Sequence, residues 1–215
     1  MIREMRAAIF DLDGVIVDTA KYHYLAWKRL ANEYGFDFTE ENNERLKGVS
    51  RTRSLEILLQ IGGLTFDEPT KMQMAALKNE WYIDYIHRID VSEMLPGVTD
   101  YLQHLRGKGI RTALGSASKN ALLILERLNI TGLFDVIVDG NKVAKAKPDP
   151  EVFLRAAREL GTAPARCVVF EDAEAGIEAA RRAGMGTVGI GNADTLKQAD
   201  ILLPDLRALV VISGF

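Results

Sequence analysis

Six polar residues of the sequence have types and positions that suit chemistry on a phosphate ester. They are Asp11, Asp13, Ser116, Lys147, Glu171 and Asp172. All but Lys147 directly follow short apolar runs that read as strands, and Lys147 lies in a loop just before a predicted helix. If these side chains converge, the carboxylates repel one another by about 1 kcal/mol per pair at 4 Å in water. One lysine alone does not offset that repulsion, so we expect a divalent cation as well.

The donor set contains only oxygen atoms, with neither histidine nor cysteine, and this favours Mg²⁺ over zinc. Magnesium held by a few carboxylates, with positions left for phosphate oxygens, is typical of phosphoryl transfer. A carboxylate can attack phosphorus directly, and Asp11 is the candidate nucleophile. Asp13, two residues further on, could serve as general acid and base if burial raises its pKa.

The elements that must position these residues alternate between strand and helix after about residue 92. The predicted strands are 7–10, 112–115, 135–138, 167–170, 186–190 and about 201–203. The predicted helices between them are 98–106, 120–128, 151–160 and 175–183. Such alternation predicts an α/β fold, with a Rossmann-like parallel sheet and helices on both faces. Ligands of these sheets bind at the carboxyl ends of the strands, so the candidate residues should share one edge.

A helical segment interrupts this pattern. Residues 18–91 carry apolar residues at helical spacing and no convincing strand, and Gly35 is placed to end a first helix over about 19–34. We therefore predict an α/β core domain of residues 1–17 and 92–215 and an inserted all-helical cap domain of residues 18–91. Because the insert leaves directly after the first strand, we expect it to cover the strand ends.

Composition narrows the class of protein. The chain has 215 residues, a net charge of −3 and one cysteine, Cys167, inside an apolar run. A chain that is not basic gives no reason to expect nucleic acid or an anionic membrane as partner. Charged residues at the N-terminus and the lack of an apolar run near 20 residues argue against a signal peptide or a membrane helix. We expect a cytoplasmic monomer that acts on a small molecule.

The ordered set of motifs resembles the haloacid dehalogenase superfamily. Asp11-Leu12-Asp13-Gly14-Val15, Ser116, Lys147-Pro148 and Glu171-Asp172 match its four motifs in order. The resemblance implies that Asp11 is phosphorylated and that Asp13 is the general acid/base. It implies that Ser116 and Lys147 hold the transferring phosphoryl group. It also implies that Mg²⁺ is bound by Asp11, the backbone carbonyl of Asp13, Glu171 and Asp172.

Three further segments, 18–27, 46–51 and 115–120, resemble the sugar-phosphate mutases of that superfamily. Those enzymes move a phosphoryl group between two hydroxyls of one hexose through a bisphosphate. The resemblance implies that the substrate contacts a set of cap and core residues. They are Thr19, His23, Lys47, Gly48, Arg51, Ser54, Ser116, Ala117, Ser118, Lys119 and Asn120.

Simpler roles remain open for several of these residues. Ser116 could cap the following helix, and Glu171-Asp172 could cap the next one. Lys145 competes with Lys147, and His23 could be an ordinary packed histidine. For the whole protein, the alternatives are a phosphatase of the same superfamily, in which water reaches the aspartyl phosphate, and a non-catalytic module, which should lack one of the motifs.

Overall fold

The computed structural model of the protein describes residues 4–46 and 49–213, with side chains up to residue 210. The chain divides into two compact units. One comprises the described parts of Met1–Asp18 and Asp90–Phe215, and the other is Thr19–Ile89.

The first unit is built on a parallel sheet. Its strands are β1 (Ala7–Phe10), β2 (Arg111–Gly115), β3 (Val136–Val138), β4 (Cys167–Glu171), β5 (Gly186–Ile190) and β6 (Ile201–Leu203). They lie in the order β3-β2-β1-β4-β5-β6, and each neighbouring pair is parallel. All four side chains of β1 are buried, as a central strand covered on both faces requires. The predicted α/β fold is confirmed.

The described part of this unit contains five α-helices. They are α5 (Val98–Gly107), α6 (Ala121–Arg127), α7 (Glu151–Glu159), α8 (Glu174–Arg182) and α9 (Arg207–Ser213). Of these, α5, α7 and α8 contact the sheet. Successive strand residues point to opposite faces. Ile9 joins the buried cluster that contains Phe153 of α7. On the other face, the ring of Phe10 stacks on Phe170 with centroids 4.6 Å apart and meets Tyr101 of α5 edge-on at 6.2 Å. The strand pattern thus produces two apolar layers.

Two segments of the α/β unit pair where the chain leaves for the helical unit and returns. Val17 forms an isolated antiparallel bridge with Met94, and the backbone N–H of Leu95 donates to the carbonyl of Ile16 over 2.9 Å. The segment that leaves the α/β unit and the segment that returns to it are therefore hydrogen-bonded to each other.

The second unit contains only helices among its described residues. They are α1 (Ala20–Glu33), α2 (Glu40–Glu44), α3 (Arg51–Gly62) and α4 (Glu68–Ile86). Side-chain caps begin three of them: Thr39 accepts from the backbone N–H of Asn42, Ser50 from that of Arg53, and Asp67 from that of Thr70. Gly35, predicted to end the first helix, has a φ of +80° just beyond it.

Helices α1 and α4 pack side by side in this unit. Trp27 and Leu30 of α1 are buried, as are Trp81 and Ile86 of α4. Across the whole described chain, residues 4–46 and 49–213, no helix combines the length and the apolar character needed to cross a membrane.

Candidate active site

Asp11 is held by a buried lysine. It is the first residue after β1, and its Oδ1 accepts a hydrogen bond of 2.6 Å from Nζ of Lys147. The same ammonium donates to Oε2 of Glu171 over 2.9 Å. The three side chains are at most 10% exposed. Burial alone would lower the pKa of Lys147, but the charges of Asp11 and Glu171 outweigh it and raise that pKa above its usual range.

Strand register explains why these residues meet. Phe10 lies between Leu114 of β2 and Phe170 of β4, so the residues that follow all emerge at one edge of the sheet. The backbone N–H of Asp11 donates to the carbonyl of Phe170 over 2.9 Å, and Glu171 is the last residue of β4. The expectation that strand-end residues share one edge is met for Asp11 and Glu171.

Three carboxylates of this edge could hold a metal ion. One oxygen from each of Asp11, Glu171 and Asp172 lies within 4.8 Å of the other two, and this is the cluster found among the described residues. Burial and then the charge of Asp11 raise the pKa of Glu171. Burial and then the charges of Glu171, Asp11 and Asp13 raise the pKa of Asp172. The single ammonium of Lys147 does not neutralise three carboxylates, so the cluster keeps an excess of negative charge. A negatively charged set of oxygen donors fits Mg²⁺.

Two glycines allow the carboxylates to approach the backbone. Gly14 has a φ of +77°, and a Cβ there would collide with the carboxyl group of Asp172. A Cβ on Gly176, in the first turn of α8, would collide with the carboxyl group of Glu171. Both positions therefore require glycine because a carboxyl group lies against the backbone. Gly14 also requires it because its φ is positive.

Asp13 lies two residues after the nucleophile candidate and is partly buried. Its backbone bridges to Val17 within the turn that Gly14 closes, where the Gly14 N–H donates to the Val17 carbonyl over 2.8 Å. Its charge contributes to the raised pKa of Asp172, so Asp13 belongs to the same acidic group.

Ser116 begins the segment Ser116–Asn120, which we call the phosphate loop because the sequence resemblance predicts phosphate contacts there. Ser116 is buried directly after β2, and its backbone N–H donates to the carbonyl of Val138 over 2.9 Å. Its Oγ accepts from the N–H of Ser118 over 3.0 Å, which leaves the hydroxyl proton to be donated elsewhere. Helix α6 begins only at Ala121, with Asn120 at the N-cap position. Ser116 therefore does not cap this helix.

The carboxylates of Glu171 and Asp172 also do not occupy the N-cap position of the next helix. Helix α8 has Ala173 at its N-cap, without a side-chain cap bond. Oε1 of Glu171 instead accepts from the N–H of Ala173 over 3.2 Å, while Oε2 faces Lys147.

The loop that carries Lys147 is fixed by its own hydrogen bonds. The carboxylate of Glu151, at the start of α7, accepts from the backbone N–H groups of Ala144 and Lys145 at 2.8–3.1 Å. The Lys147-Pro148 peptide bond is cis. Lys145, the competing lysine, is exposed and pairs with Asp149 over 3.5 Å. Lys147 is thus the lysine that the fold directs to Asp11.

Within the helical unit, His23 is partly buried beside a lysine. Its Nδ1 lies 2.8 Å from Nζ of Lys78, and its ring stacks on Tyr82 with centroids 4.1 Å apart. Burial, then the charges of Lys78 and Arg51, lower the pKa of His23 well below its usual value. His23 is therefore neutral near pH 7.

The other candidate residues of this unit occupy several environments. Thr19 is fully buried at the N-cap position of α1, and Ser54 is buried in α3. Arg51 begins α3, and its burial lowers the pKa of its guanidinium. Lys47 and Gly48 lie outside the described residues.

Sequence reasoning missed Lys78. Its side chain is 2% exposed, and its ammonium lies 4.5 Å from the ring centroid of Trp27 and 4.8 Å from that of Tyr82. A signal was present, because Lys78 follows Met74 by four positions and precedes Tyr82 by four on the buried face of α4. A charge on an apolar stripe indicates a specific partner.

Comparisons with known proteins agree with this geometry. A model described as haloacid dehalogenase-like hydrolase matches residues 5–184. The β-phosphoglucomutase of Bacillus subtilis is 45% identical, over 93% of this chain and 89% of that protein. A phosphorylated carbohydrates phosphatase of Thermotoga maritima is 36% identical, over 84% of this chain and 82% of that protein.

A solved structure matches most of the chain. The crystal structure of a β-phosphoglucomutase from Clostridium difficile matches with a TM-score of 0.91 and 43% identity, over 95% of this chain and 93% of that one. The family model covers most of the chain, including Asp11, Ser116, Lys147 and Glu171. This chain is therefore a member of the haloacid dehalogenase-like hydrolase family.

Proposed function

We propose that this protein is a Mg²⁺-dependent β-phosphoglucomutase, which interconverts β-D-glucose 1-phosphate and glucose 6-phosphate through β-glucose 1,6-bisphosphate. The observation that carries the chemistry is the buried contact of 2.6 Å between Asp11 and Lys147, beside Glu171 and Asp172. The choice of reaction is supported by 45% identity to the B. subtilis protein of that name.

In the proposed cycle Asp11 carries the phosphoryl group. The C6 hydroxyl oxygen of β-glucose 1-phosphate attacks phosphorus, the bond from phosphorus to the Asp11 oxygen breaks, and the bisphosphate forms. After the bisphosphate turns round, the Asp11 oxygen attacks the phosphorus on O1, and the bond to O1 breaks. Glucose 6-phosphate leaves, and the aspartyl phosphate is restored.

Asp13 moves the proton in both halves of this cycle. It accepts the proton of the attacking C6 hydroxyl and returns it to O1 as that oxygen leaves. Its position in the turn beside Asp11 suits this role, because that turn is closed by Gly14 and the side chain is only partly exposed.

The transferring phosphoryl group needs positive and hydrogen-bonding partners. Lys147 offsets its negative charge, and the Ser116 hydroxyl donates to one of its oxygens. Asp11, the carbonyl of Asp13, Glu171 and Asp172 would hold Mg²⁺, which when bound supplies further charge stabilisation for the phosphoryl oxygens.

We also propose that the helical unit is a cap that binds the rest of the substrate. Arg51 pairs with the non-transferring phosphate, because a guanidinium meets phosphate oxygens in a fork. Thr19, His23, Lys47, Gly48 and Ser54 complete the cap's contribution, and Ala117, Ser118, Lys119 and Asn120 contribute from the phosphate loop. Closure of the cap excludes water from the aspartyl phosphate.

A coupled assay tests the proposal. Enzyme, Mg²⁺, β-glucose 1-phosphate and a trace of β-glucose 1,6-bisphosphate are mixed, and glucose 6-phosphate and free phosphate are followed together. Glucose 6-phosphate without matching phosphate release supports the mutase. The Asp11→Asn variant is the control, and turnover equal to wild type in that variant would remove Asp11 as nucleophile.

A sugar-phosphate phosphatase is the second candidate, favoured by the similarity to the T. maritima phosphatase. It would use the same Asp11 chemistry but admit water to the aspartyl phosphate. Phosphate release without glucose 6-phosphate would select it.

A further inference from the structure

A short turn after β3 contacts the phosphate loop at several points. We call Asp139–Asn141 the supporting turn. The backbone N–H of Gly140 donates to the carbonyl of Ser118 over 3.1 Å. The side-chain amide Nδ2 of Asn141 donates to the carbonyl of Lys119 over 2.9 Å. Two successive carbonyls of the phosphate loop are therefore held by one turn.

The supporting turn has hydrogen bonds of its own. Asp139 is buried, and its Oδ1 accepts from the backbone N–H of Asn141 over 3.0 Å. Its Oδ2 accepts from Nδ2 of Asn141, also over 3.0 Å. Both hydrogens of the Asn141 amide group thus have acceptors, one in the turn and one in the phosphate loop.

Close backbone packing adds to these bonds. A Cβ on Gly140 would collide with the carbonyl oxygen of Ala117 and would lie 3.2 Å from Cγ of Lys119. Gly140 therefore lets the turn lie directly against the phosphate loop.

The held carbonyls orient the loop's N–H groups. A trans peptide is planar, and its N–H points opposite to its C=O. Since the Ser118 carbonyl faces Gly140, the N–H of Lys119 points away from the supporting turn. The Lys119 carbonyl faces Asn141, so the N–H of Asn120 also points away, where it donates to Oγ of Ser118 over 3.2 Å.

We propose that Asn141, held by Asp139, is a positioning residue that sets the geometry of the phosphate loop. It acts through the Lys119 carbonyl and does not itself touch the substrate. The inference deepens the proposed function, because it assumes that Ser116–Asn120 binds phosphate. The side chain of Asn141 is exposed, so a substitution at this position removes hydrogen bonds without removing buried apolar surface.

Two substitutions separate hydrogen bonding from shape. Asn141→Ala deletes both amide bonds and should weaken phosphate binding by up to about tenfold, the value of one or two such bonds. Asn141→Asp keeps the shape but places a carboxylate against the Lys119 carbonyl and the Asp139 carboxylate. It should weaken binding more than alanine does.

Asn192→Ala is the matched control. Asn192 lies in another exposed turn after a strand, where its Oδ1 accepts from the N–H of Asp194 over 2.9 Å. The Kd of the Mg²⁺-loaded protein for inorganic phosphate is measured by calorimetry for all four proteins. The Tm of each, and kcat and KM for β-glucose 1-phosphate, are measured in parallel.

The expected result is a raised Kd and KM in Asn141→Ala, a larger rise in Asn141→Asp, and wild-type values in Asn192→Ala. The Tm should stay close to wild type in the two alanine variants and fall in Asn141→Asp. Wild-type phosphate binding in both Asn141 variants, or a loss that only accompanies a lowered Tm, overturns the inference. A wild-type protein that binds phosphate but makes no glucose 6-phosphate overturns the proposed mutase alone, since the ratios of phosphate Kd still decide the role of Asn141. A wild-type protein that does not bind phosphate removes the basis of the inference as well.

Discussion

Nδ1 of His23 lies 2.8 Å from Nζ of Lys78, although 55 positions separate the two residues in the chain. A charged Lys78 only donates hydrogen bonds, and beside it Nδ1 accepts, which places the proton of neutral His23 on Nε2. Lys78 thus couples the tautomer of this histidine to its own protonation.

The contribution of His23 to the stability of the protein should fall as pH decreases through about 6.5, the ordinary pKa of histidine in an unfolded chain. Unfolded His23 binds a proton there, whereas the folded side chain, beside Lys78 and Arg51, binds one only at lower pH. Because the pKa of His23 is lowered in the folded protein, its contribution to the free energy of unfolding increases with pH. The slope of that contribution approaches about 1.4 kcal/mol per pH unit.

Urea unfolding of wild type, His23→Gln and His87→Gln over this pH range measures the effect. As pH decreases, the free energy of unfolding should fall more in wild type than in the His23 variant, and the His87 variant, altered at an exposed position, should match wild type. Equal slopes in the wild type and the His23 variant would contradict the assignment.

Lys147→Met should abolish most activity and also destabilise the protein. The substitution leaves the buried carboxylates of Asp11 and Glu171 without their shared ammonium, and breaking such a buried pair costs about 3–5 kcal/mol. The rate should fall by about 10²–10³ if the ammonium stabilises the transferring group. Lys145→Met is the control, because Lys145 is exposed and makes only a long pair with Asp149. Equal effects of the two substitutions on rate and unfolding would reject the assignment of Lys147.

Gly14→Ala should lose activity by about 100-fold, because its Cβ displaces the Asp172 carboxyl group. Gly35→Ala is a matched control: its φ is +80°, like the +77° of Gly14, but a Cβ there meets nothing within 4 Å. Both variants should lose about 1–2 kcal/mol from backbone strain. Rates and unfolding curves of the two variants separate strain from collision, and a normal rate in Gly14→Ala would count against close packing of Asp172 there.

Arg51→Ala should raise KM and lower kcat, because phosphate binding and cap closure are proposed to be coupled. Loss of a charge-assisted contact worth about 1.5–3 kcal/mol corresponds to roughly 10- to 100-fold in kcat/KM. Arg53→Ala is the control, since Arg53 lies in the same helical turn but is exposed and pairs with Glu56 over 2.6 Å. Unchanged kinetics in Arg51→Ala would remove Arg51 from the site.

Magnesium should raise the Tm of the substrate-free protein and be required for activity. A ligand present at about 100 times its Kd stabilises the folded state by about 2.7 kcal/mol, and here it would also relieve the repulsion among Asp11, Glu171 and Asp172. The Tm is measured with MgCl2 and with KCl at equal ionic strength. An identical Tm in both salts, or activity that survives excess EDTA, would reject a magnesium site.

Much of the fold could be predicted because buried parallel strands have a distinctive sequence. The run that ends at Phe10 is wholly apolar, and its successors alternate with amphipathic helices such as α7. The convergence of Asp11, Lys147 and Glu171 then follows from topology, since the carboxyl ends of parallel strands meet at one edge. The catalytic roles of these residues stay predictions.

Other features depend on contacts between distant segments. Lys78 contacts His23 only when α1 packs against α4. Asn141 likewise reaches the Lys119 carbonyl only when β3 pairs with β2. Helix α9 was missed because its apolar run is too short for periodicity to separate helix from strand. In each case the local sequence allows several structures, and tertiary packing selects one.

The hydrogen-bonded pair of segments at Val17 and Met94 has an evolutionary consequence. The α/β unit closes its own backbone at the point where the inserted chain departs and returns, with Leu95 bonded to Ile16. We expect that the chain between Val17 and Met94 can change in length or sequence without shifting the register of β1 against its neighbours. The proposed substrate contacts of the inserted unit can therefore change while Asp11 and Glu171 keep their places at the edge of the sheet.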